Sequence, residues 1–70
     1  MTVADAKQYL DKFKLEMPIF ILLGQDELAP GAVRYWAHGA ADRGVNSEKV
    51  SSALCAADQM EKYKPRKLPD

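Results

Sequence analysis

The chain has one cysteine, one histidine and no net charge, and each shortage closes a route. One Cys excludes a disulfide within the chain, and one Cys with one His excludes a Cys/His zinc site built by a single copy. Ten basic and ten acidic side chains balance, so nothing electrostatic drives the chain to a nucleic-acid polymer or an anionic membrane. The longest apolar run, Ile19-Phe20-Ile21-Leu22-Leu23, falls far short of the roughly 20 residues that span a bilayer. The opening Met1-Thr2-Val3-Ala4-Asp5-Ala6-Lys7 lacks the basic region and apolar core of a signal peptide. With a lone unpaired thiol, these features make the cytoplasm the expected compartment.

Size is the next constraint. A chain of 70 residues makes one domain at most. Area scaling gives roughly 4,400 Å² of folded surface against roughly 11,000 Å² unfolded, so only about 60% is buried. Small chains usually make up that deficit with disulfides, metals or self-association. The first two are closed here, which leaves a homo-oligomer as the expectation.

What is present reads as a mainly α chain: a helix, a short extended β segment, then an antiparallel helix hairpin. Residues 1–63 form a single small helical domain and 64–70 a flexible basic, proline-containing tail. Thr2 and Asp5 have the spacing of a capping box. Val3, Ala6, Tyr9, Leu10 and Phe13 then share one helical face, which predicts an amphipathic helix over Val3 to Lys14. Met17 precedes Pro18 and is pushed toward an extended backbone. Ile19 to Leu23 is apolar without alternation and rich in β-branched and aromatic residues, which favours a buried strand over a buried helical turn. One strand cannot satisfy its own backbone groups, so the expected partner is the same strand of another copy.

Beyond the strand, Gly24-Gln25-Asp26-Glu27 reads as a polar turn. Pro30 suits a first helical position, where its missing N–H costs nothing. The second helix is expected from Pro30 to Arg43, with Val33, Trp36, Ala37 and Ala40 on its apolar face and Gly44 as its stop. Asn46 or Ser47 caps a third helix with the stripe Val50, Ala53, Leu54, Ala57 and Met60. Ala53, Ala56 and Ala57 allow a neighbouring helix to come close, and Cys55 reads as a small packing residue. After Tyr63 the tail, with Pro65, Pro69 and three basic residues, is expected to be extended or disordered and to contribute little to folding.

Support for catalysis is thin. His38 has no nucleophile pattern near it, and there is no phosphate loop, so no catalytic residue, metal or cofactor is assigned. Asp26 and Glu27 are adjacent, but a hard cation wants several converging oxygens. The stronger candidate is a ligand-binding site at the start of the second helix: Gln25, Asp26, Arg34, Tyr35, Trp36 and His38. Unpaired N–H groups at a helix start favour an anion, and an Arg fork matches phosphate or carboxylate. Tyr35 and Trp36 offer faces for a stacked base. The structural alternative stays open, in which Asp26 caps the helix and pairs with Arg34 while Trp36 is core.

The stretch PIFILLGQDELAPGAVRYWA, Pro18 to Ala37, resembles a pattern in small accessory proteins of phages and prophages. There an apolar run leads to Gly/Ala-Gln-Asp, then Leu-Ala-Pro, then a helix carrying Arg and Trp-Ala. The matching residues are Gly24, Gln25, Asp26, Leu28, Ala29, Pro30, Val33, Arg34, Trp36 and Ala37, the middle third of the chain, with a looser likeness to Met60. The resemblance implies a non-enzymatic phage protein acting in the cytoplasm of the bacterial host. It would bind and sequester a small nucleotide-like ligand, such as a host defence second messenger, as a homo-oligomer. The alternative is an inhibitor or adaptor that docks on a host protein through an apolar helix face.

Overall fold

The computed structural model describes residues 2–68 and contains three helices among them: α1 (Val3–Leu10), α2 (Ala29–Asp42) and α3 (Ser47–Lys62). Met1, Pro69 and Asp70 lie outside the described residues, including the end of the expected flexible tail.

The expected capping box opens α1. The Asp5 N–H donates to Thr2 Oγ1 at 3.3 Å, and the Thr2 N–H donates to Asp5 Oδ2 at 3.0 Å. Those bonds, the backbone N–H of Thr2 foremost, hold the Asp5 carboxyl below its ordinary value. The helix stops at Leu10 instead of reaching Lys14. Lys12 N–H turns back to Tyr9 O at 3.3 Å and Phe13 N–H to Leu10 O at 3.1 Å, a tighter spacing that closes the helix end. A short helix owes its length to packing along its face, and α1 packs against neither α2 nor α3. Its aromatic side chains meet each other instead, with the rings of Tyr9 and Phe13 5.1 Å apart and the Lys12 ammonium 5.5 Å from the Tyr9 ring centre.

Residues 19–23 do not form a strand within this chain. The only pairing among the described residues is an isolated parallel bridge between Asp26 and Lys67. A lone extended segment has no ladder to join in one copy.

The helix hairpin does form. Arg34 in the first half of α2 reaches Asp58 and Glu61 near the end of α3, which fixes the antiparallel sense. Gly44, at φ 79°, makes the turn that a side chain would strain. Val45 N–H bonds Ala40 O at 3.0 Å and Gly44 N–H bonds Ala41 O at 3.1 Å, the paired bonds of a Schellman end. Asn46 Oδ1 then accepts from Glu48 N–H at 2.7 Å and caps α3.

The hairpin closes on small residues. Ala29, Pro30, Ala37 and Ala40 of α2 and Ala57 of α3 are buried, with Val33, Val50, Ala53, Leu54 and Met60 half-buried around them. Among the described residues no large side chain is fully buried. Trp36, expected on this face, is 48% exposed instead. Helices that approach on alanines leave no gap for an indole, so the ring turns out past the edge of the seam. Cys55 is likewise exposed and packs nothing away.

Much surface stays open as a result. The chain exposes 6,072 Å², against about 4,400 Å² for a compact monomer of its mass. Its radius of gyration is 12.9 Å, against about 11 Å for a compact chain of this length.

Candidate functional site

The residues singled out from the sequence fall into two groups on the folded chain. Gln25 and Asp26 sit in the turn before α2. Arg34, Tyr35, Trp36 and His38 lie on α2 itself.

The turn is tied down locally and from the far end of the chain. Asp26 N–H donates to Leu23 O at 3.0 Å, and Asp26 Oδ1 accepts from Leu28 N–H at 2.8 Å. Asp26 therefore organises the entry to α2, as a short polar side chain does when it bonds the backbone two residues on. The tail adds the second tie. Lys67 N–H donates to Gln25 O at 2.8 Å, and Glu27 N–H donates to Lys67 O at 2.9 Å. The Arg66 guanidinium lies between them and donates to Asp26 O at 2.8 Å, to Gly24 O at 3.2 Å and to Met60 O. One side chain thus joins the turn to the last carbonyls of α3. Gly24 lies against Met60 at the same place, where an added Cβ would sit 3.7 Å from Met60 Cγ, in ordinary contact.

The tail expected to be loose is hydrogen-bonded to the turn at Arg66 and Lys67. The missed signal was modest but present: a basic side chain just past a helix end commonly bonds that helix's final carbonyls. That rule finds Met60 O. It gives no hint of Gly24 and Asp26, some forty positions away in the chain.

Arg34 does not pair with Asp26. Its Nη1 donates to Glu61 Oε1 at 3.1 Å, and its Nη2 donates to Glu61 Oε2 at 3.2 Å and to Asp58 Oδ1 at 2.9 Å. Both ends of the fork are engaged, two bonds side by side to one carboxylate. Donating to Glu61 and then to Asp58 raises the guanidinium pKa above its ordinary value, and Arg34 in turn holds Glu61 below the usual glutamate value. An anion arriving here would meet one cation already faced by two carboxylates. Its neighbours on α2 are open: Tyr35 is 84% exposed, and Trp36, His38 and Leu28 also face solvent.

A second feature lies in the N-terminal third. Tyr9, Leu10, Phe13, Leu15, Met17 and Ile19, with Lys14 among them, line an open and mostly apolar groove of about 330 Å³. Leu15 at its rim is fully exposed, and Phe20, next after Ile19 in the chain, is 87% exposed.

Among the described residues no group of three His, Cys, Asp or Glu side chains is placed to hold a metal, and no helix is long and apolar enough to cross a membrane. No family model matches the chain, and no curated protein or solved structure matches it.

Proposed function

We propose that this chain is a non-catalytic binding protein that works as a homo-oligomer and docks on another protein through the exposed aromatic ridge of α2. The observation that carries this reading is the contrast on that helix. Arg34, the group an anion would need, is held by Glu61 and Asp58, while Tyr35 is 84% exposed, Trp36 is half exposed, and Leu28 at the cap position just before the helix is also largely in solvent. Aromatic side chains on a rigid helix are the usual anchors of protein interfaces, because they bring large area at little entropic cost. The resemblance to phage accessory proteins makes a protein of the bacterial host the partner class, and the host cytoplasm the compartment.

The test compares the wild type with Tyr35→Ala and Trp36→Ala as bait in host lysate, followed by binding of the purified partner. The expected result is a partner retained by the wild type and weakened by roughly 30-fold or more in at least one variant. Equal retention by all three proteins removes the ridge from the account.

The same two rings support a second reading, capture of a nucleotide-like ligand by stacking on Tyr35 and Trp36. A panel of linear and cyclic nucleotides measured by thermal shift separates the two. A true ligand at about 100 times its dissociation constant stabilises the fold by ~2.7 kcal/mol, whereas a protein-docking ridge leaves the melting temperature unmoved by every nucleotide.

A further inference from the structure

We propose that the apolar face formed by α1 and residues 13–21 is closed by the same face of a second copy of this chain. The inference rests on the homo-oligomer reading above and names the surface that makes the oligomer.

Three observations meet there. The groove lined by Tyr9, Leu10, Phe13, Lys14, Leu15, Met17 and Ile19 is open, and among the described residues α1 packs against neither helix of the hairpin. Leu15 at its rim is fully exposed, and Phe20, next after Ile19 in the chain, is 87% exposed, so the cavity and side chains able to fill a copy of it occur in one segment. That is the self-complementarity a two-fold interface requires. Third, residues 19–23 form neither helix nor strand and join no ladder among the described residues. The identical segment of another copy, running antiparallel across the axis, would supply one.

Area and charge choose a second copy over a foreign partner. The exposed surface of 6,072 Å² exceeds that of a compact monomer by roughly 1,700 Å². A standard interface takes only about 800 Å² from each partner, so an excess of this size belongs to the range of obligate assemblies. Residues 2–23 carry Asp5, Asp11 and Glu16 against Lys7, Lys12 and Lys14, so two copies meet without net repulsion. A core that buries no large side chain among the described residues needs its cover while folding. Another copy is the one partner always present at that moment.

The experiment uses the full chain. Molar mass by light scattering and backbone hydrogen exchange over residues 19–23 are measured across a dilution series for the wild type and for Phe20→Asp. Circular dichroism follows the hairpin. The wild type should be oligomeric, with protection at 19–23 that is lost on dilution. Phe20→Asp should keep the helical signal of α2 and α3 while its dissociation constant rises by roughly 30-fold or more. Because Phe20 is exposed within the chain, the charge enters no pocket of the monomer. If Phe20→Asp nonetheless loses its helical signal, Leu15→Lys replaces it, under the same expectation. An oligomer with unprotected 19–23 that survives Phe20→Asp overturns this face and leaves the homo-oligomer reading standing. A wild type that stays monomeric at 100-fold dilution and at the highest concentration alike, with a cooperative melt, overturns both. Protection at 19–23 that appears only when anionic vesicles or a foreign protein are added gives the face to that occupant and overturns the second copy.

Discussion

Replacing Arg66 by alanine should destabilise this protein more than its place in a short basic tail suggests. In the native chain the guanidinium donates to Asp26 O at 2.8 Å, to Gly24 O at 3.2 Å and to Met60 O. A hydrogen bond from a charged donor is worth ~1.5–3 kcal/mol net. Counting only the two to the turn, at the low end, gives about 3 kcal/mol. The freed side chain regains about 1 kcal/mol of rotamer entropy, and the half-buried carbonyls are partly rehydrated. Loss of the Met60 bond acts in the other direction. The net expectation is about 2–3 kcal/mol, which for a domain of this size lowers the melting temperature by about 15 °C. The assay is thermal unfolding at one fixed protomer concentration, since the proposed assembly would make the midpoint depend on concentration. Arg66→Lys keeps the charge but lacks the flat fork that serves several carbonyls, and should recover less than half of the loss. An Arg66→Ala protein that melts within about 3 °C of the wild type would refute the clamp, and the tail would then be the loose appendage that its composition suggests.

Gly44→Ala places a side chain at φ 79° and should cost about 1–2 kcal/mol in chemical denaturation. Gly31→Ala, in open space on α2, should instead stabilise by a few tenths to ~1 kcal/mol. Asn46→Ala removes the cap of α3 and should cost about 1 kcal/mol; an unchanged midpoint would mean that Ser47 substitutes for it. Glu61 is held below its unfolded value by Arg34, so its contribution to stability is complete above the unfolded value and is lost as pH falls through the folded one. An NMR titration should find Glu61 below the ordinary glutamate value, and Arg34→Ala should move it back up.

The features that could be read from the sequence are the local ones. Thr2 with Asp5, Gly44 and Asn46 each act on backbone groups within a few residues, so their spacing alone predicts both the bond and the helix end. The hairpin was legible for the same reason: a four-residue connection, Arg43 to Asn46, leaves few ways to place two amphipathic helices. What sequence reasoning missed depends on distance or on size. Arg66 meets Gly24 and Asp26 only after the chain has folded back, and no periodicity links those positions. Trp36 follows the helical repeat of Val33, Ala37 and Ala40, but the repeat says nothing of how wide the seam is. The length of α1 was overestimated because an apolar stripe lengthens a helix only where something packs on it. Among the candidate site residues, Asp26 was expected either to bind a ligand or to cap α2; its Oδ1 accepts from the N–H of Leu28, the residue at the cap position, and no side chain caps the helix itself. The partners of Arg34 were not legible, because Glu61 and Asp58 arrive from another helix.

The alanine seam has a consequence for where binding can happen. Drawing α2 and α3 together on Ala37, Ala40 and Ala57 leaves no interior for the larger side chains, so Tyr35, Trp36 and Leu28 are turned outward. The carboxylates of Asp58 and Glu61, on the same hairpin, take up Arg34 and make the neighbouring surface unattractive to anions. A small core therefore produces an apolar, charge-paired exterior as a geometric by-product. On the hairpin that exterior is held on rigid helices joined to the clamped turn, a fixed shape on which a partner can be selected. On the N-terminal third it surrounds residues 19–23, which join no ladder among the described residues. A fixed ridge discriminates among partners, because nothing in it yields to a poor fit. An unpaired backbone accepts any strand, and specificity there must come from side chains on both edges, a condition that a second copy meets by identity. If recognition belongs to α2 and assembly to residues 9–23, as proposed, a substitution at Trp36 should leave the oligomer intact while one at Phe20 should not.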